Sequence, residues 1–234
     1  MQRIKGEENS NQKRKAIFLD RDGVLNVEKS YICKPEDLEL YPFTASAVAG
    51  INRSGYLAVV VSNQSAIARN MCTEKDILKV HAKLEEDLRA ENAHLDAIYY
   101  CPHYPPQGDG DIITPFTIEC NCRKPRTGMF LQANQELDID VTTSFMVGDS
   151  GRDILAGKNA GCTTVGVRTG HGVKNSTVLP DYMFDDLSAF VGFLIDDPLK
   201  GTFEKVSAHY YNSNDCKPFI IVIDGNEQSG KAKT

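Results

Sequence analysis

Two carboxylates follow a short apolar run near the start of the chain. Residues 16–19 are apolar, and Asp20 and Asp22 come directly after them, with Gly23 permitting a sharp backbone turn. Carboxylates at such a position suit nucleophilic or acid–base chemistry, but an Asp-rich turn at a strand end fits equally well. A calcium loop does not fit, because that motif needs its glycine at the sixth position and Gly23 is the fourth.

Three later polar segments also fall at predicted strand ends or helix starts. Ser62 follows one apolar run, and Asp149 follows another. Arg123 and Lys124 precede a helical segment. Because the carboxyl ends of parallel strands share one edge of a sheet, we expect a hydroxyl, cations and carboxylates around one rim. Asp153 is expected to orient Lys124 or a water molecule, or else to act only as a helix N-cap.

The hydrophobic pattern predicts strands and helices in alternation. Predicted strands are residues 15–20, 57–61, 97–100, 145–147, 163–167 and 182–184, and predicted helices are residues 45–52, 74–90, 128–137 and 153–160. Such alternation predicts an α/β fold with a Rossmann-like parallel sheet and helices on both faces. These elements fill the 39 residues between Asp22 and Ser62 and the 61 between Ser62 and Lys124, so we expect no large cap domain.

The four polar segments resemble, in order and spacing, the four motifs of the haloacid dehalogenase superfamily. The resemblance runs from about residue 15 to residue 184. It implies a magnesium-dependent phosphatase in which Asp20 is the nucleophile and forms an aspartyl phosphate. Asp22 would be the general acid and base.

The same resemblance implies the groups that hold the metal and the phosphate. The Mg²⁺ ligands would be the Asp20 side chain, the Asp22 backbone carbonyl and Asp149. The cation would offset the repulsion between a carboxylate nucleophile and an anionic phosphate. Lys124 and the Ser62 hydroxyl would hold the phosphoryl oxygens in the transition state.

Three cysteines and a histidine form two closely spaced pairs, Cys101 with His103 and Cys120 with Cys122. Three thiolates and one imidazole make a closed tetrahedral Zn²⁺ set, which would be structural because no coordination position remains for substrate. The loop between the pairs has few apolar residues, so a metal would offset its ordering entropy. Free thiols remain the alternative, because the C-x-C spacing differs from that of zinc fingers.

The other histidines lack such spacing. His81, His94, His171 and His209 are isolated in the sequence. His171 lies near Arg168 and a glycine, as a phosphate loop would require, but we expect it to stand apart from the site.

The zinc-type loop narrows the resemblance to one branch of the superfamily. The segments that carry it are residues 18–26, 62–69, 99–103 and 120–125. They resemble the bacterial D-glycero-D-manno-heptose-1,7-bisphosphate 7-phosphatases, and the alternative is the histidinol-phosphate phosphatases, which share the loop. The substrate-binding residues that the resemblance implies are Asp20, Asp22, Glu28, Tyr31, Ser62, Asn63, Gln64, Ser65, Arg123 and Lys124. Two features depart from the heptose family: Ser150 replaces a lysine that often contacts substrate, and the loop between His103 and Cys120 is longer.

Composition and charge limit the classes of partner that this chain is expected to have. The 234 residues are 41% hydrophobic and 25% charged, as in ordinary globular proteins. A net charge of −6 gives no general attraction for nucleic acid. No run approaches the ~18 apolar residues of a membrane span, and the N-terminus lacks a signal-peptide pattern. We therefore expect a cytoplasmic monomer that acts on a small phosphorylated sugar or related metabolite, without a membrane partner.

The C-terminal segment carries a second pattern. We divide the chain into a polar arm (1–14), a phosphatase domain (15–197) and a tail (198–234). The tail contains the G-x-x-x-x-G-K part of a P-loop between Gly225 and Lys231, but Ala232 stands where Ser or Thr should reach Mg²⁺. The segment is either the truncated start of a kinase-like domain, which we favour, or a chance match.

This pattern motivates two alternatives of other classes. One is the phosphatase part of a polynucleotide kinase 3′-phosphatase, against which the acidic charge and the cysteine-rich loop argue. The other is a non-catalytic, metal-stabilised binding domain. The complete set of site residues argues against the latter, since a dead homologue is expected to lose at least one of them.

Overall fold

A six-stranded parallel sheet forms the centre of the computed structural model, which describes residues 13–108, 112–174 and 176–196. The strands are β1 (Ala16–Leu19), β2 (Leu57–Asn63), β3 (Ala97–Cys101), β4 (Phe145–Gly148), β5 (Thr163–Val167) and β6 (Tyr182–Phe184). Their order is β3-β2-β1-β4-β5-β6, and every neighbouring pair is parallel. The predicted α/β fold is confirmed. The order reverses between β1 and β4, which is where such sheets form a crevice for ligands.

Five helices cover the two faces of the sheet in the described part of the chain. They are α1 (Thr44–Ser54), α2 (Glu74–Ala90), α3 (Gly128–Leu137), α4 (Gly151–Ala160) and α5 (Leu187–Asp196). The predicted helices correspond to the first four, but α4 begins two residues earlier than predicted. α5 was not predicted, although Leu187, Phe190, Val191 and Leu194 have helical spacing and all four are buried.

β1 is buried on both faces, as its unbroken apolar run predicts. On one face Ile17 and Leu19 join a cluster that includes apolar side chains of α1 and α5. On the other face Phe18 packs against Phe130 of α3, with ring centroids 4.8 Å apart. Packing on both sides fixes the end of β1, and therefore the residues that follow it, relative to β2 and β4.

The connections between these elements contain no inserted cap domain within the described ranges. The segment from β1 to α1 has a 3₁₀ turn at Pro35–Asp37 and isolated β-bridges at Asn26. Another 3₁₀ turn precedes β4 at Val141–Thr143. None of the described helices is long and apolar enough to cross a membrane. The P-loop-like pattern and nearly all of the predicted polar arm lie outside the described residues.

Candidate active site

A polar cleft of about 300 Å³ lies where β1, β2 and β4 end. It is lined by Asp20, Asp22, Glu28, Ser30, Tyr31, Ser62, Asn63, Gln64, Ser65, Arg69, Tyr104, Arg123, Lys124, Asp149, Ser150, Arg152, Asp153 and His171. The structure thus brings together all ten residues that were predicted to bind substrate, together with Asp149. It also adds residues that the sequence analysis did not place in the site, among them Arg69, Tyr104, Arg152 and His171.

Asp20 directly follows β1 and is tied to the neighbouring strand. Its N–H donates to the Val147 carbonyl at 3.0 Å. Its Oδ1 accepts a hydrogen bond from the Arg21 N–H at 2.7 Å and lies 3.0 Å from Lys124 Nζ. Burial raises the pKa of Asp20 to about 8; Lys124 opposes this shift, whereas nearby carboxylates add to it. The Asp20 carboxylate therefore needs more positive charge than Lys124 alone supplies.

Lys124 is held at both its backbone and its ammonium group. Its side chain is 1% exposed and lies 2.6 Å from Asp153 Oδ1, in addition to its contact with Asp20. Asn63 exchanges two hydrogen bonds with the Lys124 backbone, at 3.0 and 3.1 Å. Burial lowers the pKa of Lys124, but Asp153 and Asp20 outweigh it and raise the pKa. Lys124 is therefore a fixed cation at the end of β2.

Asp153 pairs with Lys124, as expected, and also takes part in the capping of α4. Oδ1 pairs with Lys124, while Oδ2 accepts hydrogen bonds from the Ser150 N–H at 3.1 Å and the Ser150 hydroxyl at 2.5 Å. Ser150 is the N-cap of α4 and Asp153 is the third helical residue of a capping box. The expectation that Asp153 itself is the N-cap is wrong, because the helix begins at Gly151.

Asp22 is surrounded by hydrogen-bond donors. Arg21, which is fully buried, reaches both carboxylate oxygens with NH2 at 2.9 Å. Asn26 and Gln64 each donate to the carboxylate at 3.0 Å. Burial tends to raise the pKa of Asp22, but the charge of Arg21 and these hydrogen bonds lower it overall. Asp22 is therefore ionised in this arrangement.

Asp149 follows β4 and is bound by His171. The backbone N–H of His171 donates to Asp149 Oδ2 at 2.7 Å, and His171 Nδ1 lies 2.9 Å from the same oxygen. Burial raises the pKa of Asp149, with Asp153 adding to the shift and the His171 hydrogen bonds opposing it. The expectation that His171 stands apart from the site is wrong. The sequence signal was its place four residues beyond the end of β5, at the same sheet edge.

The carboxylates form a group that suits a divalent cation. Asp20, Asp149 and Asp153 each offer an oxygen, and these atoms lie within 4.8 Å of one another. Lys124 is the only lysine among the described residues that line the cleft, so the group carries excess negative charge when it is ionised. Oxygen ligands of this kind are those that Mg²⁺ prefers.

The cysteine and histidine pairs meet in space. The Cys122 sulfur lies 3.2 Å from that of Cys101 and 3.4 Å from that of Cys120, and 3.3 Å from His103 Nδ1. Tetrahedral Zn²⁺ with bonds of about 2.0–2.3 Å places its ligand atoms roughly 3.5–3.8 Å apart, close to this spacing. Hydrogen bonds from Cys101 and its neighbours lower the pKa of Cys122 to about 5, which favours a thiolate. The cluster is compatible with zinc.

An aromatic ring in contact with two guanidinium groups forms part of the cleft. The Tyr104 ring centroid lies 4.0 Å from Arg69 and 4.9 Å from Arg123. Arg123 also donates to the His103 carbonyl at 3.1 Å, which joins this stack to the cysteine cluster. Burial and the nearby Arg152 lower the pKa of Arg123. None of these three guanidinium groups forms an ion pair with a described residue.

Known proteins share this sequence and architecture. The HAD-hydrolase-like family model matches residues 121–190. D-glycero-beta-D-manno-heptose-1,7-bisphosphate 7-phosphatase of Pasteurella multocida (strain Pm70) is 44% identical over 158 residues, which are 67% of this chain and 83% of that protein. D-glycero-D-manno-heptose-1,7-bisphosphate 7-phosphatase of Thermosynechococcus vestitus is 39% identical over 188 residues, covering 77% and 95%.

Solved structures agree with these relatives. The D,D-heptose 1,7-bisphosphate phosphatase of B. bronchiseptica, complexed with magnesium and phosphate, matches with a TM-score of 0.68 at 31% identity. The match covers 77% of this chain and 98% of that one. The Burkholderia thailandensis enzyme matches with a TM-score of 0.58 at 28% identity, covering 79% and 100%. This chain therefore belongs to the haloacid dehalogenase-type phosphatases, in the family of the D-glycero-D-manno-heptose-1,7-bisphosphate 7-phosphatases.

Proposed function

We propose that this protein removes the 7-phosphate from D-glycero-D-manno-heptose 1,7-bisphosphate. The observation that carries the proposal is one cleft that holds both a buried carboxylate cluster around Lys124 and a set of guanidinium groups without carboxylate partners among the described residues. The first can perform phosphoryl transfer, and the second can bind another phosphate. Relatives that are named for this activity, at about 40% identity, support the choice of substrate.

A magnesium ion fits the carboxylate cluster. Asp20 and Asp149 would be its side-chain ligands, and the backbone carbonyl of Asp22 would be the third protein ligand. The magnesium and phosphate in the B. bronchiseptica structure support Mg²⁺ as the cation. When bound, Mg²⁺ neutralises phosphate charge and so offsets the repulsion by the nucleophile.

Asp20 attacks the phosphorus in the first half of the reaction. Its Oδ1 is held by the Arg21 N–H and by Lys124, whereas Oδ2 accepts no hydrogen bond from a described residue and is available for attack. A phosphorus–oxygen bond forms to Asp20 while the bond to the sugar oxygen breaks, and Asp22 gives that oxygen a proton. The Ser62 hydroxyl and the Lys124 ammonium donate to the phosphoryl oxygens.

Asp22 acts as a base in the second half. Its lowered pKa keeps Asp22 ionised, so the carboxylate can accept a proton from water as the water attacks the aspartyl phosphate. Phosphate then leaves and Asp20 is regenerated. In the first half of the reaction Asp22 must carry a proton. One of its oxygens then has to give up its contact with Arg21 and form a hydrogen bond to the leaving oxygen of the sugar. Gln64, which donates to both Asp22 and Ser62, holds the two groups in one network.

The guanidinium groups favour a bisphosphate over histidinol phosphate. Histidinol carries an amine that is protonated at neutral pH and would be repelled by Arg69 and Arg123, whereas a sugar phosphate would pair with them. Replacing Arg69 by Gln should therefore raise the KM for the 1,7-bisphosphate by about 10-fold or more. This corresponds to the loss of one charge-assisted hydrogen bond. KM for heptose 7-phosphate, which lacks the second phosphate, should change much less.

The same cleft argues against a polynucleotide substrate. Arg69, Arg123 and Arg152 line one volume of about 300 Å³. This suits a compact second phosphate better than a strand whose contacts extend over several nucleotides. The P-loop-like pattern of the tail lies outside the described residues and does not bear on the choice of substrate.

We also propose a structural Zn²⁺ held by Cys101, His103, Cys120 and Cys122. The distances among the four ligand atoms support it, and no ligand position would remain for substrate. Because Arg123 follows the last ligand and donates to the His103 carbonyl, the ion would fix one of the recognition groups.

We further propose a cytoplasmic monomer. The six described cysteines are all unpaired, as is usual for a reducing compartment. All ten residues that were predicted to bind substrate line one cleft of this chain, which supports a site that needs no second copy.

The test is phosphate release with Mg²⁺ from heptose 1,7-bisphosphate, histidinol phosphate and a 3′-phosphorylated oligonucleotide, with phosphorus NMR to identify which phosphate is lost. Asp20→Asn serves as the inactive variant, and Asp181→Asn, which changes a carboxylate outside the cleft, as the matched control. We expect phosphate release from position 7 of the heptose to be at least 100-fold faster than phosphate release from either other substrate. Only wild type and Asp181→Asn should show this activity. A preference for another substrate would refute the assigned substrate, and an active Asp20→Asn would refute the nucleophile.

A further inference from the structure

The segment after β5 binds the carboxylate of Asp149 at two points. The backbone N–H of His171 and its ring Nδ1 both contact Oδ2, at 2.7 and 2.9 Å. The Val173 N–H also donates to the Asp149 carbonyl, at 2.6 Å. Oδ1 of Asp149 accepts no hydrogen bond from any residue that the structure describes. The two oxygens of this carboxylate therefore have different surroundings.

Two glycines restrict the position of Oδ2 further. A Cβ at Gly23 or at Gly170 would lie 2.2 or 2.1 Å from this oxygen. The Thr169 hydroxyl donates to the Gly23 carbonyl at 2.6 Å, so the segment after β5 is also joined to the turn that carries Asp22. Oδ2 thus lies in a confined space between two backbone turns, and rotation of the carboxylate would break its bonds to His171.

The His171 side chain does not contribute to the core. It is 59% exposed, yet its Nδ1 points back to a carboxylate that is 2% exposed. A side chain with so little burial gains little from packing, and its contact with Asp149 is the hydrogen bond that the structure records for its ring. The ring therefore acts on the orientation of Asp149 more than on the stability of the fold.

We propose that His171 is a positioning residue, which holds Oδ2 of Asp149 so that Oδ1 remains free for the catalytic cation. The inference rests on the proposed role of Asp149 as a metal ligand. Groups that hydrogen-bond to metal ligands fix their orientation, and their loss commonly weakens metal binding or activity by about 10–100-fold. Because the His171 N–H remains in any side-chain variant, we expect the lower end of that range.

The experiment compares His171→Ala, His171→Asn and wild type, with His94→Ala as the control for loss of an exposed histidine. Mg²⁺ affinity is measured without substrate by calorimetry, and KM for Mg²⁺ and kcat at saturating Mg²⁺ are measured separately. His171→Ala should bind Mg²⁺ about 10-fold more weakly, with a matching rise in KM for Mg²⁺. Its kcat at saturating Mg²⁺ should remain within about 3-fold of wild type, since the chemical groups are unchanged.

The asparagine variant separates positioning from a structural role. The amide nitrogen of Asn can occupy the place of Nδ1, so His171→Asn should recover most of the lost affinity, whereas His94→Ala should equal wild type. Equal Mg²⁺ affinity in His171→Ala and wild type would overturn the proposal, as would an asparagine variant that is no better than alanine. If weaker Mg²⁺ binding appears but no heptose phosphate is hydrolysed, the proposed function fails and this inference stands. If wild type binds no Mg²⁺, both fail.

Discussion

Replacing Gly23 by alanine should separate a backbone effect from a displaced metal ligand. Gly23 has a φ of +80°, and a Cβ there would lie 2.2 Å from Asp149 Oδ2, whereas ordinary contacts begin near 3.4 Å. One of the two groups must therefore move by about 1 Å, and a displacement of that size at a catalytic group can lower the rate about 100-fold.

Gly55 provides a matched control. Its φ is +85°, almost the same, but no heavy atom lies within 4 Å of a Cβ built there. Gly55→Ala should therefore lose only the cost of a left-handed backbone, about 1–2 kcal/mol of unfolding free energy, and should keep its activity. Gly23→Ala should lose that amount and a further ~1–3 kcal/mol from the overlap.

The assay is urea unfolding of both variants and wild type, together with kcat/KM for the substrate that wild type hydrolyses best. We expect kcat/KM of Gly23→Ala to fall about 100-fold while Gly55→Ala stays within about 2-fold of wild type. If the two variants lose equal stability and both keep their activity, then the turn at Gly23 does not constrain Asp149, and the reasoning is refuted.

Three further predictions concern charge, metal and pH. Lys124→Met leaves buried carboxylates without their ammonium partner, so its free energy of unfolding should fall by about 3 kcal/mol and its kcat about 100-fold. Lys158→Met, at an exposed ion pair, should lose under ~1 kcal/mol of unfolding free energy. Equal calorimetric melting points of the two variants would contradict this. Metal analysis should find one zinc per chain in wild type and none in Cys122→Ser. The KM of Cys122→Ser should rise by a larger factor than its kcat falls. A wild-type protein that is fully active without zinc would reject the zinc site. Partial burial tends to raise the pKa of Asp181, but hydrogen bonds from Thr164 outweigh it and lower the pKa in the folded state. Asp181 therefore stabilises the fold above about pH 4, and this stabilisation is lost as the pH falls through the pKa of the folded state. The Tm deficit of Asp181→Asn at pH 7 should accordingly shrink in acid, and a deficit that grows there would show the wrong sign.

The sequence predicted the sheet well because its four central strands are buried on both faces. A strand such as β1 then appears as an unbroken apolar run, and the polar residue that follows it marks the sheet edge where ligands bind. α5 was not predicted, although its apolar residues have helical spacing. Its buried side chains, Phe190 among them, belong to the same cluster as those of α1.

The recognition side of the cleft was harder to predict. Arg69 and Tyr104 are 35 positions apart, on separate loops, and a contact between a cation and a ring leaves no periodic pattern in the sequence. His171 has only its place four residues after β5 as a signal, and the path of that segment brings it to Asp149. Loop paths depend on many weak contacts, whereas strand ends follow from a short hydrophobic pattern.

The division of the cleft between strand ends and loops has a consequence for how this enzyme can change. Asp20 and Asp149 follow strands whose positions are fixed by the core, and Ser62 lies near the end of another such strand. Arg69 and Tyr104 lie on connecting segments. Loop positions accept substitution more readily than the ends of buried strands. New leaving groups could therefore be selected by exchanging the loop residues alone, with the phosphate-cleaving groups inherited intact, and libraries that vary residues 69 and 104 are the place to begin.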